Sequence, residues 1–236
     1  MPATPPPALP PTPLIEPGFA EVRRLDLQAA FHTKAPWSVY ALAPTGSDAD
    51  TGDKPVKICF QQSPAAKPDC TSLTSGLDND TMIYPYQTFG SLRIEPLSPA
   101  RKGVVATASF SGGGSGSLSQ TAVWTPIGGK SDGFILSSTI KVDNLGEDRR
   151  FASGPLAGYY VVADFLWGEH ETHWDPHRFA IEAYKLAPSG AYVEVLRYVT
   201  TRKYPAERQT EDYVIDHELP RLKRRLHTVY PKGALF

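Results

Sequence analysis

Short segments of β-branched and aromatic residues recur along this chain at close, regular spacing, and no amphipathic helical pattern separates one from the next until the C-terminus. Residues 56–61, VKICFQ, show the grammar most clearly. Val56, Ile58 and Phe60 point to one face of a strand and Lys57, Cys59 and Gln61 to the other, because successive side chains of a strand alternate. The same reading applies to residues 22–27, 37–43, 81–86, 91–95, 104–110, 120–125, 134–142, 159–167, 178–186 and 192–200, with Gly, Pro, Asp and Ser in the connections. Strands in such succession predict a mainly β fold, an antiparallel meander that is either propeller-like or a sandwich. One α-helix closes the chain. Leu219, Leu222 and Leu226 recur at helical spacing and the basic residues Arg221, Lys223, Arg224 and Arg225 take the other faces, with Asp216 as the expected N-cap and Pro220 at or in the first turn. The basic face reads as solvated, or as a contact with an anionic membrane surface.

Ahead of this body, residues 1–17 hold eight of the chain's 23 prolines, too many for any helix. The expected organisation is a disordered proline-rich leader or tether over residues 1–18, then a single β-rich domain over 19–236 that ends in the helix. No basic stretch followed by an apolar one opens the leader, so it does not read as a signal peptide. It fits a spacer between a lipid anchor and the body, a plain tail, or a ligand for a proline-binding groove.

The two cysteines, Cys59 and Cys70, flank a segment containing Pro64 and Pro68 that suits a turn between strands. They are expected to form a disulfide closing a hairpin, which places the protein in an oxidising compartment, periplasmic or extracellular; two buried thiols are the alternative. The hydrophobic share of 41% is enough for a real core. A net charge of −1 gives no reason to expect nucleic acid as a partner. No apolar run reaches the ~18 residues of a transmembrane helix.

Reactive side chains are densest in Glu169-His170-Glu171-Thr172-His173-Trp174-Asp175-Pro176-His177, which holds three of the six histidines between two expected strands. Imidazole and carboxylate are ligands for Zn²⁺ or another divalent metal, so His170, His173 and His177 form a candidate metal set, and Glu169, Trp174 and Asp175 a candidate binding set. The spacing is not the helical HExxH pattern, and Pro176 favours an irregular loop. A solvated, partly packed polar loop without cofactor is the plainer reading. Trp167, Trp174, Tyr159 and Tyr160 are the aromatics that could line a carbohydrate or peptide groove, or simply pack in the core.

Other motifs fail on inspection. Residues 111–117, SGGGSGS, lack the continuation of a phosphate loop or a hydrolase elbow, and Gly129-Lys130-Ser131 ends a P-loop that has no beginning. Residues 48–53 and 78–80 cluster carboxylates without completing a calcium loop, and Asn79-Asp80-Thr81 meets the glycosylation sequon.

From Gly112 onward, GGGSGSLSQTAVW, GEDRRFASGPLAGYYVVADF, HRFAIEAYKL and VIDHELPRL resemble a group of uncharacterised proteobacterial exported proteins. The resemblance covers roughly the C-terminal half. It implies a β-rich fold and a cell-envelope address, which the cysteine pair would suit, and carries no functional residue. The expected function is a non-enzymatic binding protein that presents loops from its β scaffold to a protein or glycan of the envelope. A metal-dependent hydrolase using the 169–177 loop, and an inhibitor or immunity-type protein, are the alternatives.

Overall fold

The computed structural model describes residues 16–45, 54–75, 84–111, 117–127, 133–143, 146–207 and 212–229. Most of the leader, both acidic clusters with the sequon, the glycines at 112–116 and Lys130-Ser131 lie outside these residues. The described chain is mainly β and antiparallel, with one long helix at its end.

Three four-stranded meanders follow one another. The first comprises β1 (Phe19–Asp26), β2 (Ser38–Pro44), β3 (Lys57–Gln61) and β4 (Asp69–Ser72), with a single turn of helix, α1 (Gln28–Phe31), after β1. A two-stranded piece, β5 (Thr74–Ser75) and β6 (Tyr84–Pro85), leads to the second, made of β7 (Thr88–Ser98), β8 (Arg101–Ser111), β9 (Ser117–Pro126) and β10 (Phe134–Asp143). The third holds β11 (Glu147–Phe151), β12 (Tyr159–Leu166), β13 (Arg178–Leu186) and β14 (Tyr192–Val199), and helix α2 (Tyr213–Val229) follows it. In each sheet the spatial order is the chain order, so every connection joins neighbours.

The sheets stack face to face, and the middle one is buried on both sides. On β8 and β9, Val104, Ala106, Ala108, Ala122 and Trp124 join Val39, Ala41, Val56, Ile58 and Phe60 of the first sheet. Their neighbours Val105 and Val123 point the other way, to Ile140, Val142, Tyr160 and Val162 at the seam with the third sheet. The far face of the third sheet, with Val161, Phe165, Phe179 and Ile181, is covered by Val214, Ile215, Leu222 and Leu226 of α2. The result is a β-β-β-α row. Each adjacent pair of sheets meets through alternating inward side chains, as in a sandwich or between neighbouring propeller blades, and the row forms no closed barrel.

Val56, Ile58 and Phe60 share the inner face as the alternation predicts, while Cys59 lies on the outer face with Phe19, Tyr40 and Leu42. Cys59 and Cys70 are register partners on β3 and β4 and are bonded, with an S–S distance of 2.05 Å. No helix among the described residues is long and apolar enough to cross a membrane.

The helix begins earlier than its sequence indicates. Asp216 is in the first turn and Pro220 is interior, not near the start. The end is capped from outside: the buried carboxylate of Glu147 on β11 accepts from the backbone N–H of Val214 (2.8 Å) and of Ile215 (3.0 Å). A carboxylate there satisfies orphan donors and faces the positive end of the helix dipole. Glu218, also buried, accepts the hydroxyls of Tyr198 (3.1 Å) and Tyr204 (2.6 Å), while Arg221 and Arg225 lie against the Tyr198 ring. Burial and the Glu218 carboxylate push the Tyr204 hydroxyl up to about 12. Tyr204 is thereby fixed between helix and sheet, and it is the anchor of the loop described next.

Candidate functional site

The loop between β12 and β13 is built from two consecutive four-residue turns that repeat the same device. In residues 168–171 the N–H of Glu171 donates to the carbonyl of Gly168 (3.2 Å), and the Glu171 carboxylate accepts the N–H of Gly168 (2.7 Å). In residues 172–175 the N–H of Asp175 donates to the carbonyl of Thr172 (3.1 Å), and the Asp175 carboxylate accepts from the N–H (2.7 Å) and hydroxyl (2.8 Å) of Thr172. An acid at the fourth position thus clamps the first residue of each turn, a side-chain-to-backbone bond typical of short polar residues in turns. His170 adopts φ 66°. It and Trp174 occupy the third positions, which turn geometry directs away from the body.

The clamps are tied to the scaffold. Glu171 also accepts from Nδ1 of His177 (3.0 Å) and from the Lys203 ammonium. The Lys203 hydrogen bond first, then the Gly168 N–H and His177, hold the Glu171 carboxyl down to about 2. The two hydrogen bonds from Thr172 likewise hold the Asp175 carboxyl below its ordinary range. His177 is fully buried and exchanges both backbone hydrogen bonds with Tyr204, at 2.8 and 2.7 Å. Among the described residues its Nε2 meets no hydrogen-bond partner, and the ring packs against Phe165 (5.3 Å between centroids) and Trp167 (5.5 Å). The loop is therefore fastened through His177 and Tyr204 to the Glu218 cluster on α2.

Above this anchor lies an aromatic surface. The His173 ring meets Trp167 edge to face at 4.7 Å, and Trp167 in turn meets Phe165 at 5.2 Å. Trp174 is 80% exposed and Trp167 54%. Tyr159 and Tyr160, named from the sequence with the two tryptophans, are buried in the sheet and take no part.

The three histidines are not gathered. His170 stands in solvent, 3.7 Å from the equally exposed Glu169, His173 lies on Trp167, and His177 is interior. Among the described residues no group of three or more His, Cys, Asp or Glu side chains is placed to hold a metal ion. Of the binding set, Trp174 presents its ring to water, Glu169 is exposed, and Asp175 acts inside its turn. Lys203 carries no signal in sequence, being 32 residues from the carboxylate it partners.

No family model and no curated protein matches the chain. Among solved structures it is similar to an acylaminoacyl peptidase of Pyrococcus horikoshii at 8% identity and a TM-score of 0.28, over 68% of this chain and 30% of that one. A likeness that loose assigns neither fold nor activity.

Proposed function

We propose that this protein is a non-enzymatic binding module of the bacterial cell envelope, whose sheet stack holds the loop at residues 168–177 rigid so that Trp174 and Trp167 meet a glycan or protein surface. The observation that carries the reading is the 80% exposure of an indole at the tip of a turn clamped by its own Asp175. Aromatic rings on a rigid loop provide contact area with little ordering cost, and sugars and peptides both stack on them. Trp167, 54% exposed and edge to face with His173, adds a second exposed indole to the same loop. The Cys59–Cys70 bond supports an exported location, since such bonds persist in oxidising compartments.

Co-sedimentation with purified, insoluble cell-wall glycan, alongside pull-down from detergent-solubilised envelope proteins, tests this. Retention in either assay that falls at least about tenfold in a Trp167→Ala/Trp174→Ala variant is expected, because central aromatic anchors dominate such contacts. Equal retention of the variant, or none of the parent protein, would overturn the reading.

A further inference from the structure

At the opposite end of the third sheet, the start of β12 and the β13–β14 turn meet the β7–β8 turn of the second sheet. A cavity of about 300 Å³ opens between them. Two cations line it, and among the described residues neither pairs with an acid. Arg101 donates to the carbonyls of Ala187 (2.7 Å) and Pro188 (2.5 Å). Lys185 donates to the carbonyl of Ala157 (2.7 Å) and lies 4.1 Å from the centre of the Tyr159 ring.

Carbonyls hold these groups in place without cancelling their charge. Half-buried cations of this kind carry a desolvation cost that an anion would relieve, and they are already oriented to receive one. The cavity shares Ser98, Arg101 and Pro188 with a larger one of about 670 Å³, whose walls include Phe31, Pro99, Pro126 and Lys102. Among the described residues no carboxylate lines either cavity. Lys102 is exposed and makes no ion pair among the described residues. In a chain whose net charge is −1, this concentration of positive charge is local. The backbone is shaped for it too: Gly158 and Gly190, at φ 77° and 95°, line the smaller and the larger cavity, and a Cβ on Gly190 would lie 2.4 Å from the Thr125 hydroxyl.

We propose that these joined cavities form a binding site for a small organic anion, a carboxylate or phosphate monoester with an apolar body. The anionic group sits beside Arg101 and Lys185 in the smaller cavity, Lys102 adds positive charge on the wall of the larger one, and the apolar part lies along Phe31, Pro99 and Pro126. Cavities of several hundred Å³ with apolar walls and a few placed polar groups are the common form of small-molecule sites. The site is independent of the aromatic loop.

Calorimetric titration of the full chain with phenyl phosphate, benzoate, benzyl alcohol and inorganic phosphate tests it. Phenyl phosphate or benzoate should bind at least about tenfold more tightly than both the neutral alcohol and inorganic phosphate, and more weakly as salt rises. Preference for one of the two organic anions identifies the headgroup. Lys185→Met should lower that affinity at least about tenfold, as loss of one charge-assisted hydrogen bond does. Lys102→Met, at an exposed position, should lower it in the same direction and serves if the Lys185 variant does not fold. Equal binding of benzyl alcohol, unchanged affinity in the folded variants, or no binding of any organic anion would overturn the proposal.

Discussion

The two ends of the third sheet treat charge in opposite ways. β12 and β13 run from Tyr159 paired with Lys185 to Leu166 paired with Arg178, a span of about 25 Å at strand rise. At the loop end the central carboxylate, Glu171, has a histidine, a lysine and a backbone N–H around it, and the groups facing solvent are the Trp167 and Trp174 rings with the Glu169–His170 pair. At the cavity end two cations rest on carbonyls, with no acid in the lining. One end has its central carboxylate satisfied and exposes two indoles. The other is internally held and offers charge. The two proposals thus set chemically different partners at opposite ends of one sheet.

The contrast breaks most severely at His177. His177→Ala leaves a void against Phe165 and Trp167 and removes a partner of Glu171, which should cost about 2–4 kcal/mol in thermal or denaturant unfolding. Acrylamide quenching of Trp167 should rise with it, while anion affinity at the far end stays unchanged. Arg101→Ala is the counterpart, freeing the carbonyls of Ala187 and Pro188 at a cost of about 1–2 kcal/mol. It should loosen the β13–β14 turn in hydrogen exchange and leave loop protection as it was.

Acid separates the loop from the seam behind it. Glu171 titrates below its ordinary range, so the stability it contributes is complete above about 4.5 and is lost as pH falls towards 2. Asp164, on β12, runs the other way. Burial raises its carboxyl to about 7 against the opposing hydrogen bond from the Asp143 N–H, so the folded state keeps a proton that the unfolded chain releases. Its contribution is present below about 3.8 and declines as pH rises through 7. Denaturant midpoints across pH should show a shallower acid limb in Glu171→Gln and a shallower decline between pH 4 and 7 in Asp164→Asn. Smallest in stability is Trp174→Ala, within about 0.5 kcal/mol because the ring is mostly in water.

The strands that carry the cores were legible because alternation reports burial directly. VKICFQ divides between two faces as it reads, and residues 178–186 match β13 in full. β4 was implied only by the Cys59–Cys70 hairpin and β11 was not legible at all: DCTS and EDRRF are polar segments at sheet edges, where pairing needs no apolar stripe. The start of α2 was missed because its cap, Glu147, is 67 residues from the N–H it serves. The candidate loop was found by its composition, but the division of its histidines among solvent, ring stack and interior depends on Trp167, Lys203 and Tyr204, which only the fold brings to it. The cavity at the other end gave no sequence signal, since Arg101 and Lys185 belong to different sheets.

The central claim is that the clamped loop presents a binding surface. Its most direct test is retention of the parent protein and the Trp167→Ala/Trp174→Ala variant on a total bacterial envelope fraction that contains both wall glycan and membrane proteins. Saturable retention of the parent is expected, with at least an approximately tenfold weaker hold on the variant and unfolding midpoints still close together. Retention that is the same for both, or absent for the parent, would contradict it.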